Sequence, residues 1–370
     1  MKVIMTGGGT GGHIYPAIAI ADEIKRRYED AEILFVGAQR GLEKTLVPDN
    51  GYEIKLLDVQ GFNRKNMIKN VSVLKSLRNA NKEAINIMKE FKPDFVVGTG
   101  GYASAPIINN AHKLGIPSYI HEQNAFPGVT NKMGEKYATK MFLGFEEAGK
   151  YFKDPSKHIV TGNPVRAGFM SVEKEQARKN LGFKNKEFVV LAFGGSQGAG
   201  RINKAMMSAI ERFNGDREIT ICLATGKYYY HAILDELKEK GMEIRDNIRI
   251  MEYIDNMPEF LSAADMVVSR SGALTVAEVT VCGKPAIFIP FPAATGNHQF
   301  FNARAVAEKG GANVIEERDL DNEKLIETII NMMNHQEGLA DMAAKSRSCA
   351  PVDAVRIICD NIEELKQCND

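Results

Sequence analysis

The chain lacks most of the features that would place a protein in a special class at once. Its 370 residues hold only five cysteines (Cys222, Cys282, Cys349, Cys359 and Cys368), an odd number with no CxxC pair. That excludes a disulfide framework and a cysteine-built metal site, and fits a reducing compartment. No apolar run approaches the roughly 20 residues of a membrane span; stretches such as 285–291 are far shorter. The first apolar strand breaks into glycines before a signal-peptide core can develop, so the chain reads as cytosolic. Neither charge dominates, with 47 Lys and Arg against 47 Asp and Glu, so net charge argues neither for nor against a nucleic-acid partner and only local patches can; no such partner is expected. There is no GxxxxGK[ST], which excludes a phosphate-loop NTPase. No Asp-x-Asp pair stands at a strand end to hold a divalent ion, so neither metal nor cofactor is expected.

What is present describes a globular α/β protein. Hydrophobic residues make up 44% of the chain and charged residues 25%, a usual balance for such a protein. At this length one core is too few, and two domains are expected. Strands at 3–5, 33–36, 54–59, 95–98, 118–121 and 140–143 alternate with helical stretches. After a lapse of periodicity between 144 and 166 the pattern restarts, with strands at 188–193, 219–224, 248–251, 266–268 and 286–289. Strands separated by helices predict parallel, doubly wound sheets, here two domains facing across a cleft. The boundaries fall at 1–163 and 164–348. A terminal helix within 349–370, apolar at Val355, Ile358, Ile362 and Leu365, is expected to pack back on the first domain.

The chain is organised around residues 2–19, where a strand runs into Gly7, Gly8, Gly9, Gly11 and Gly12, then His13 and the start of a helix. A strand, a glycine turn and a helix start converge backbone N–H groups and the positive end of a helix dipole on one point, an anion site. The spacing also fits a dinucleotide fingerprint. That fingerprint wants an acid at the tip of the second strand, and Val36-Gly37-Ala38-Gln39-Arg40 offers none there. Further strand ends carry Gly98-Thr99-Gly100-Gly101, His121-Glu122-Gln123-Asn124 and, in the second half, 194–201 and 269–278. Glu278 is the only charge between Arg270 and Lys284, in a position to accept from two vicinal ribose hydroxyls. The loop at 293–299 presents amide and imidazole donors suited to sugar hydroxyls.

Six stretches together are similar to one family. They are 7–13 (GGGTGGH), 100–102 (GGY), 121–124 (HEQN), 162–166 (GNPVR), 194–198 (GGSQG) and 270–278 (RSGALTVAE). In this order they resemble the MurG family of family 28 glycosyltransferases, which convert lipid I to lipid II in peptidoglycan synthesis. The resemblance implies a GT-B fold and inverting transfer of N-acetylglucosamine (GlcNAc) from UDP-GlcNAc to the C4 hydroxyl of a muramyl sugar. By position it implies that Thr10, Gly11, Gly12, Asn124, Arg166, Ser196, Ile254 (backbone), Arg270, Ala273 (backbone), Thr275, Glu278 and Gln299 bind UDP-GlcNAc. Gly8, Gly9, Gly100 and Gly101 would receive the acceptor pyrophosphate. His298 stands where some members carry Gln.

The transfer needs a base, and His13 is the candidate because imidazole titrates near working pH; a helix-capping or anion-binding role for it stays open. Glu122 is the alternative base. The stretch 62–77 recurs with Ile68, Val71, Leu74 and Leu77 at three-residue spacing among Lys69, Lys75 and other bases, without an acid until Glu83. It fits an interfacial helix on an anionic membrane surface, or a core helix with a basic solvated face. A lipid-linked acceptor favours the first, which would put the protein peripherally on the cytoplasmic face of the cell membrane. Three other readings remain at this stage: a glycosyltransferase for another lipid acceptor, a UDP-GlcNAc epimerase of the same fold, and a nucleotide-sugar-binding module without catalysis.

Overall fold

Strands with apolar residues on both faces must be covered on both faces, and that requirement shapes this chain. In strand β1 (Lys2–Gly7) the residues Val3, Ile4 and Met5 are all fully buried. Their side chains alternate: Val3 and Met5 join one apolar layer, and Ile4 joins the other. The structure is a computed structural model that describes residues 1–59, 70–165, 168–184, 187–195, 197–350 and 353–367, with side chains outside 70–75 and 366–367. It divides into two units, Met1–Val165 with Asp353–Asp370, and Arg166–Val352.

The first unit holds β1, β2 (Glu32–Ala38), β3 (Glu53–Leu57), β4 (Phe95–Gly100), β5 (Ser118–Glu122), β6 (Lys140–Leu143) and β7 (His158–Val160). They form one sheet in the order β3-β2-β1-β4-β5-β6-β7, and every pairing is parallel. The order reverses between β1 and β4, and ligands of such sheets bind beyond the strand ends at that point. The second unit repeats the plan with β8 (Phe188–Phe193), β9 (Ile219–Ala224), β10 (Ile248–Met251), β11 (Met266–Ser269), β12 (Ala286–Phe288) and β13 (Ala312–Val314). Its order, β10-β9-β8-β11-β12-β13, is again parallel and reverses between β8 and β11. Both units are thus doubly wound α/β domains, the kind from which the GT-B class is built.

Two strands escape the sequence reading. β7 lies inside the stretch read as a hinge, and β13 was not expected. Each has three residues at a sheet edge, too short to show a period. The terminal helix Ala354–Gln367 lies against the helix Gly11–Arg27: Ile358, Cys359 and Ile362 enter the same core layer as Ile14, Ile18 and Ala21. Arg27 secures that contact with bonds to Asp360 at 2.7 Å and Glu363 at 3.0 Å. Among the described residues no helix is long and apolar enough to cross a membrane.

Because Ile358 is fully buried, Ile358→Ala is expected to remove about 2–5 kcal/mol of stability through lost burial and a residual cavity. Urea unfolding should show a lowered midpoint at an unchanged slope.

Candidate functional site

In the first unit the loops after β1 and β4 touch backbone to backbone. The register of β1 with β4 slips between Thr6 and Gly7, which pair with Gly98 and Gly100, so Thr99 bulges out of the ladder. Its hydroxyl donates to the His13 carbonyl at 2.8 Å. Gly101, at φ +86°, lies so close that an added Cβ would stand 2.4 Å from the Gly8 carbonyl oxygen. Only glycine permits both that backbone and that approach. The same carbonyl accepts from His13 Nδ1 at 3.0 Å. A carbonyl oxygen cannot donate, so Nδ1 carries the hydrogen and, in the neutral ring, Nε2 carries the lone pair. The ring edge with Nε2 faces Gly100, where an added Cβ would be 3.2 Å away.

The glycine loop is also fastened from the side, by a residue that sequence reasoning missed. The fully buried Glu43 accepts from Gly9 N–H at 2.8 Å and from Ala38 N–H at 2.9 Å, tying the loop to the end of β2. The flanking Gly37 and Gly41 leave room for it, since an added Cβ at either would collide with the Glu43 side chain. The Gly8 amide, too, is engaged, donating to the Gly100 carbonyl at 3.2 Å. The amides of Gly8 and Gly9 therefore build the loop. For an anion there remains the start of the helix Gly11–Arg27, where Thr10 gives no side-chain cap and the first turn holds no acid. Gly9, Thr10 and Gly12 are exposed there.

At the end of β5 the four residues 121–124 form a polar bracket, buried at 121–123 and half-buried at Asn124. Glu122 Oε1 accepts from the backbone and side-chain amides of Asn124 at 2.9 and 3.1 Å, and Oε2 from Gly128 N–H at 3.1 Å and Asn131 Nδ2 at 2.8 Å. Four donors on a carboxylate that is 1% exposed describe a strut. This geometry disfavours the alternative base, because protonating Glu122 would place a hydrogen among donors. His121 donates from Nε2 to the Gly162 carbonyl at 3.0 Å and accepts from Gln123 at Nδ1 at 2.9 Å. Burial pushes its pKa down to about 4.

In the second unit β8 and β11, adjacent at the switch point, each run through glycine into a helix. Gly198 (φ +78°) presses on the end of β9, where an added Cβ would be 2.0 Å from the Thr225 carbonyl oxygen. The helix Gly200–Phe213 starts after Ala199, which cannot cap, and the helix Ala273–Val281 starts after Gly272; neither first turn carries an acid. Both helix starts keep their positive ends uncancelled by local side chains. Thr275 and Glu278, three residues apart, share one half-buried face of the second helix. Ser271 Oγ donates to the Gln299 carbonyl at 2.8 Å, and Gln299 Oε1 accepts from Phe291 N–H at 3.0 Å, so the 291–299 loop folds back onto the end of β11.

Arg270 has less freedom than expected. It is 9% exposed, donates to the carbonyls of Ile289 and Pro290 at 3.1 and 3.2 Å, pairs with Glu317 and lies over the Phe291 ring at 5.3 Å. Its first task is to hold the ends of β11 and β12 together, and Glu317 is a further partner that spacing did not reveal. Arg270, Ala273, Thr275, Glu278 and Gln299 thus gather around the end of β11. Ile254 is buried after β10, with β9 and β8 between. Arg166, Ser196, Ile68 and Lys69 lie outside the described residues, as do the side chains of Val71, Leu74 and Lys75; Leu77 is half-buried.

Residues 3–143 match the Glycosyltransferase family 28 N-terminal domain, and residues 189–356 match the Glycosyltransferase family 28 C-terminal domain. The chain belongs to glycosyltransferase family 28. It is 43% identical, over 99% of both chains, to the UDP-N-acetylglucosamine--N-acetylmuramyl-(pentapeptide) pyrophosphoryl-undecaprenol N-acetylglucosamine transferase of Desulforamulus reducens. Its fold matches the crystal structure of Acinetobacter baumannii MurG with a TM-score of 0.79 and 29% identity, covering 98% of this chain and 99% of that one. A UDP-GlcNAc 2-epimerase from Neisseria meningitidis shares the fold alone, at 16% identity, a TM-score of 0.69 and coverage of 98% and 100%. Family 28 membership joins two domain types that this chain carries in two separate units.

The buried, neutral His121 has a consequence for pH. Its folded pKa of about 4 lies below the ordinary 6.5, so the unfolded chain takes up the proton first as pH falls. The stability is whole above pH 6.5 and is lost progressively between 6.5 and 4, by roughly 3 kcal/mol at the lower end. In His121→Gln this part of the pH-stability profile should be flatter by that amount, as read by urea unfolding at each pH.

Proposed function

We propose that this chain is an inverting glycosyltransferase that moves GlcNAc from UDP-GlcNAc to the C4 hydroxyl of the muramyl sugar of lipid I, forming lipid II. The observation that carries this reading, beside the family, is the His13 imidazole held by its Nδ1 hydrogen so that Nε2 bears the lone pair beside the Gly100 loop. Nε2 takes the proton of the acceptor hydroxyl while its oxygen attacks the anomeric carbon, and the bond from that carbon to the UDP diphosphate breaks. The start of the helix Ala273–Val281 meets the charge that develops on the departing diphosphate. Thr275 and the helix start address the diphosphate, Glu278 the ribose, the Ile254 backbone the uracil edge, and the Ala273 backbone, Gln299 and Asn124 the sugar. Arg270 supports the base by fixing the Phe291 loop. Arg166 and Ser196 join the diphosphate group, and Thr10, Gly11 and Gly12 complete the donor side. The acceptor pyrophosphate sits beside the loops of Gly8, Gly9, Gly100 and Gly101, where the start of the helix Gly11–Arg27, and not the engaged amides of Gly8 and Gly9, supplies N–H groups.

His13→Ala is expected to lower transfer of labelled GlcNAc to a lipid I analogue, assayed in EDTA, by about 10²–10⁴-fold while UDP-GlcNAc binding persists. Undiminished transfer would remove His13 from the base role. Release of a free sugar-nucleotide isomer without acceptor would replace transfer by epimerisation.

The acceptor reading also implies contact with an anionic membrane surface, on the cytoplasmic face, through the basic and apolar stretch that leads into the helix Asn70–Phe91. Binding to anionic vesicles should weaken with salt and drop at least several-fold in Leu74→Ser/Leu77→Ser. Vesicle binding unchanged in a folded double variant assigns the contact elsewhere.

A further inference from the structure

Beside the loop that carries Gly100 and Gly101 lies an apolar cavity of about 160 Å³. Its lining includes Leu77, Pro106, Ile108, Ile120 and Met133, from the helices Asn70–Phe91, Ser104–Lys113 and Val129–Gly134 and from β5, with Tyr137 from the turn before β6. Ser104 and Asn131 also line it, and both reach the acceptor loop. Ser104 Oγ donates to the Gly100 carbonyl at 2.8 Å, and Asn131 Nδ2 lies 3.5 Å from where a Cβ of Gly100 would stand. One layer of side chains therefore separates the cavity from the Gly100 backbone. Ser104 and Asn131 have partners inside the protein, Ser104 as above and Asn131 on Glu122 and the His121 carbonyl. Asn81, Asn109, Thr130 and Lys136 complete the polar part of the lining, and of these the buried Asn109 Oδ1 has no hydrogen-bond partner among the described residues.

A core is normally filled by its own side chains. This space stays open, and Met133 on its lining is 67% exposed. Tyr102, directly after Gly101, and Val129, one helical turn before Met133, are 59% and 60% exposed. Apolar surface left in water beside a polar site marks a place that an apolar group covers. An apolar cavity of about 150 Å³ takes up a benzene-sized ligand, and a single branched isoprene unit is of that size.

We infer that this cavity binds the first isoprene unit of the acceptor, the one bonded to the pyrophosphate, and so makes the enzyme favour an acceptor that carries an isoprenoid tail over one that carries none. The inference rests on the acceptor reading above, which places the pyrophosphate beside the neighbouring glycine loops. The contact is with one chain unit of the substrate, apart from any docking of the protein on the bilayer.

Ala105 also lines the cavity, from an exposed position on its helix, so Ala105→Phe fills the space without displacing a buried group. The assay uses two soluble acceptor analogues in the absence of vesicles, one whose pyrophosphate carries a short isoprenoid tail and one with a methyl cap. Expected is a KM for the isoprenoid analogue raised about tenfold at unchanged kcat, with both constants for the methyl-capped analogue unchanged. Met133→Ser, a surface change, should move the same ratio in the same direction and stands in should Ala105→Phe lower the unfolding midpoint. Equal effects on both analogues, or none on either, overturn the inference. A loss of vesicle binding with no change in the KM ratio also overturns it, and assigns the face to bilayer docking. Wild-type protein that binds UDP-GlcNAc yet transfers to neither analogue removes the acceptor reading itself, and the cavity assignment with it.

Discussion

The first unit depends on one close approach, that of Gly101 to the carbonyl oxygen of Gly8. It brings the loops after β1 and β4 together at the point where the strand order reverses. It also leaves the Gly8 carbonyl in reach of His13 Nδ1, which sets the hydrogen on one ring nitrogen and the lone pair on the other. Any side chain at position 101 would part the loops, and the orientation of the imidazole would go with them. Structure and chemistry here share a single oxygen atom.

The second unit repeats the device for a different purpose. Gly198 lets the loop after β8 press on the end of β9, much as Gly101 does in the first unit. There the result is an uncapped helix start rather than a positioned imidazole. A helix start with no local acid holds its positive potential for a ligand, and both units present such starts at their switch points. Pyrophosphate chemistry suits them, because phosphate oxygens can accept from several fixed backbone donors without a shift of side chains.

Around these loops stand buried charges whose cost is offset by saturation with donors or by an opposite charge. Glu43 accepts from two backbone amides, Glu122 from four N–H groups, and Arg270 pairs with Glu317 while donating to two carbonyls. A buried charge robbed of one partner is worth several kcal/mol of destabilisation, so these struts hold the loops stiffly. That stiffness suits a reaction in which a hydroxyl, a base and an anomeric carbon must be aligned.

Much was written in local sequence: the apolar runs that became strands, the glycines that ended them, and the restart of the pattern that made a second unit. The six stretches that resemble family 28 enzymes were equally plain, because backbone-binding loops need particular residues at fixed spacing. Local sequence was silent on β7 and β13, whose three residues carry no period. It was silent also on Glu43, which meets a glycine loop 34 residues away, and on the four donors that meet Glu122. Tertiary structure alone decided those points. Spacing along the chain tells which backbone conformation a residue favours, whereas the partner of a buried carboxylate depends on which distant amides the packed sheet brings within 3 Å.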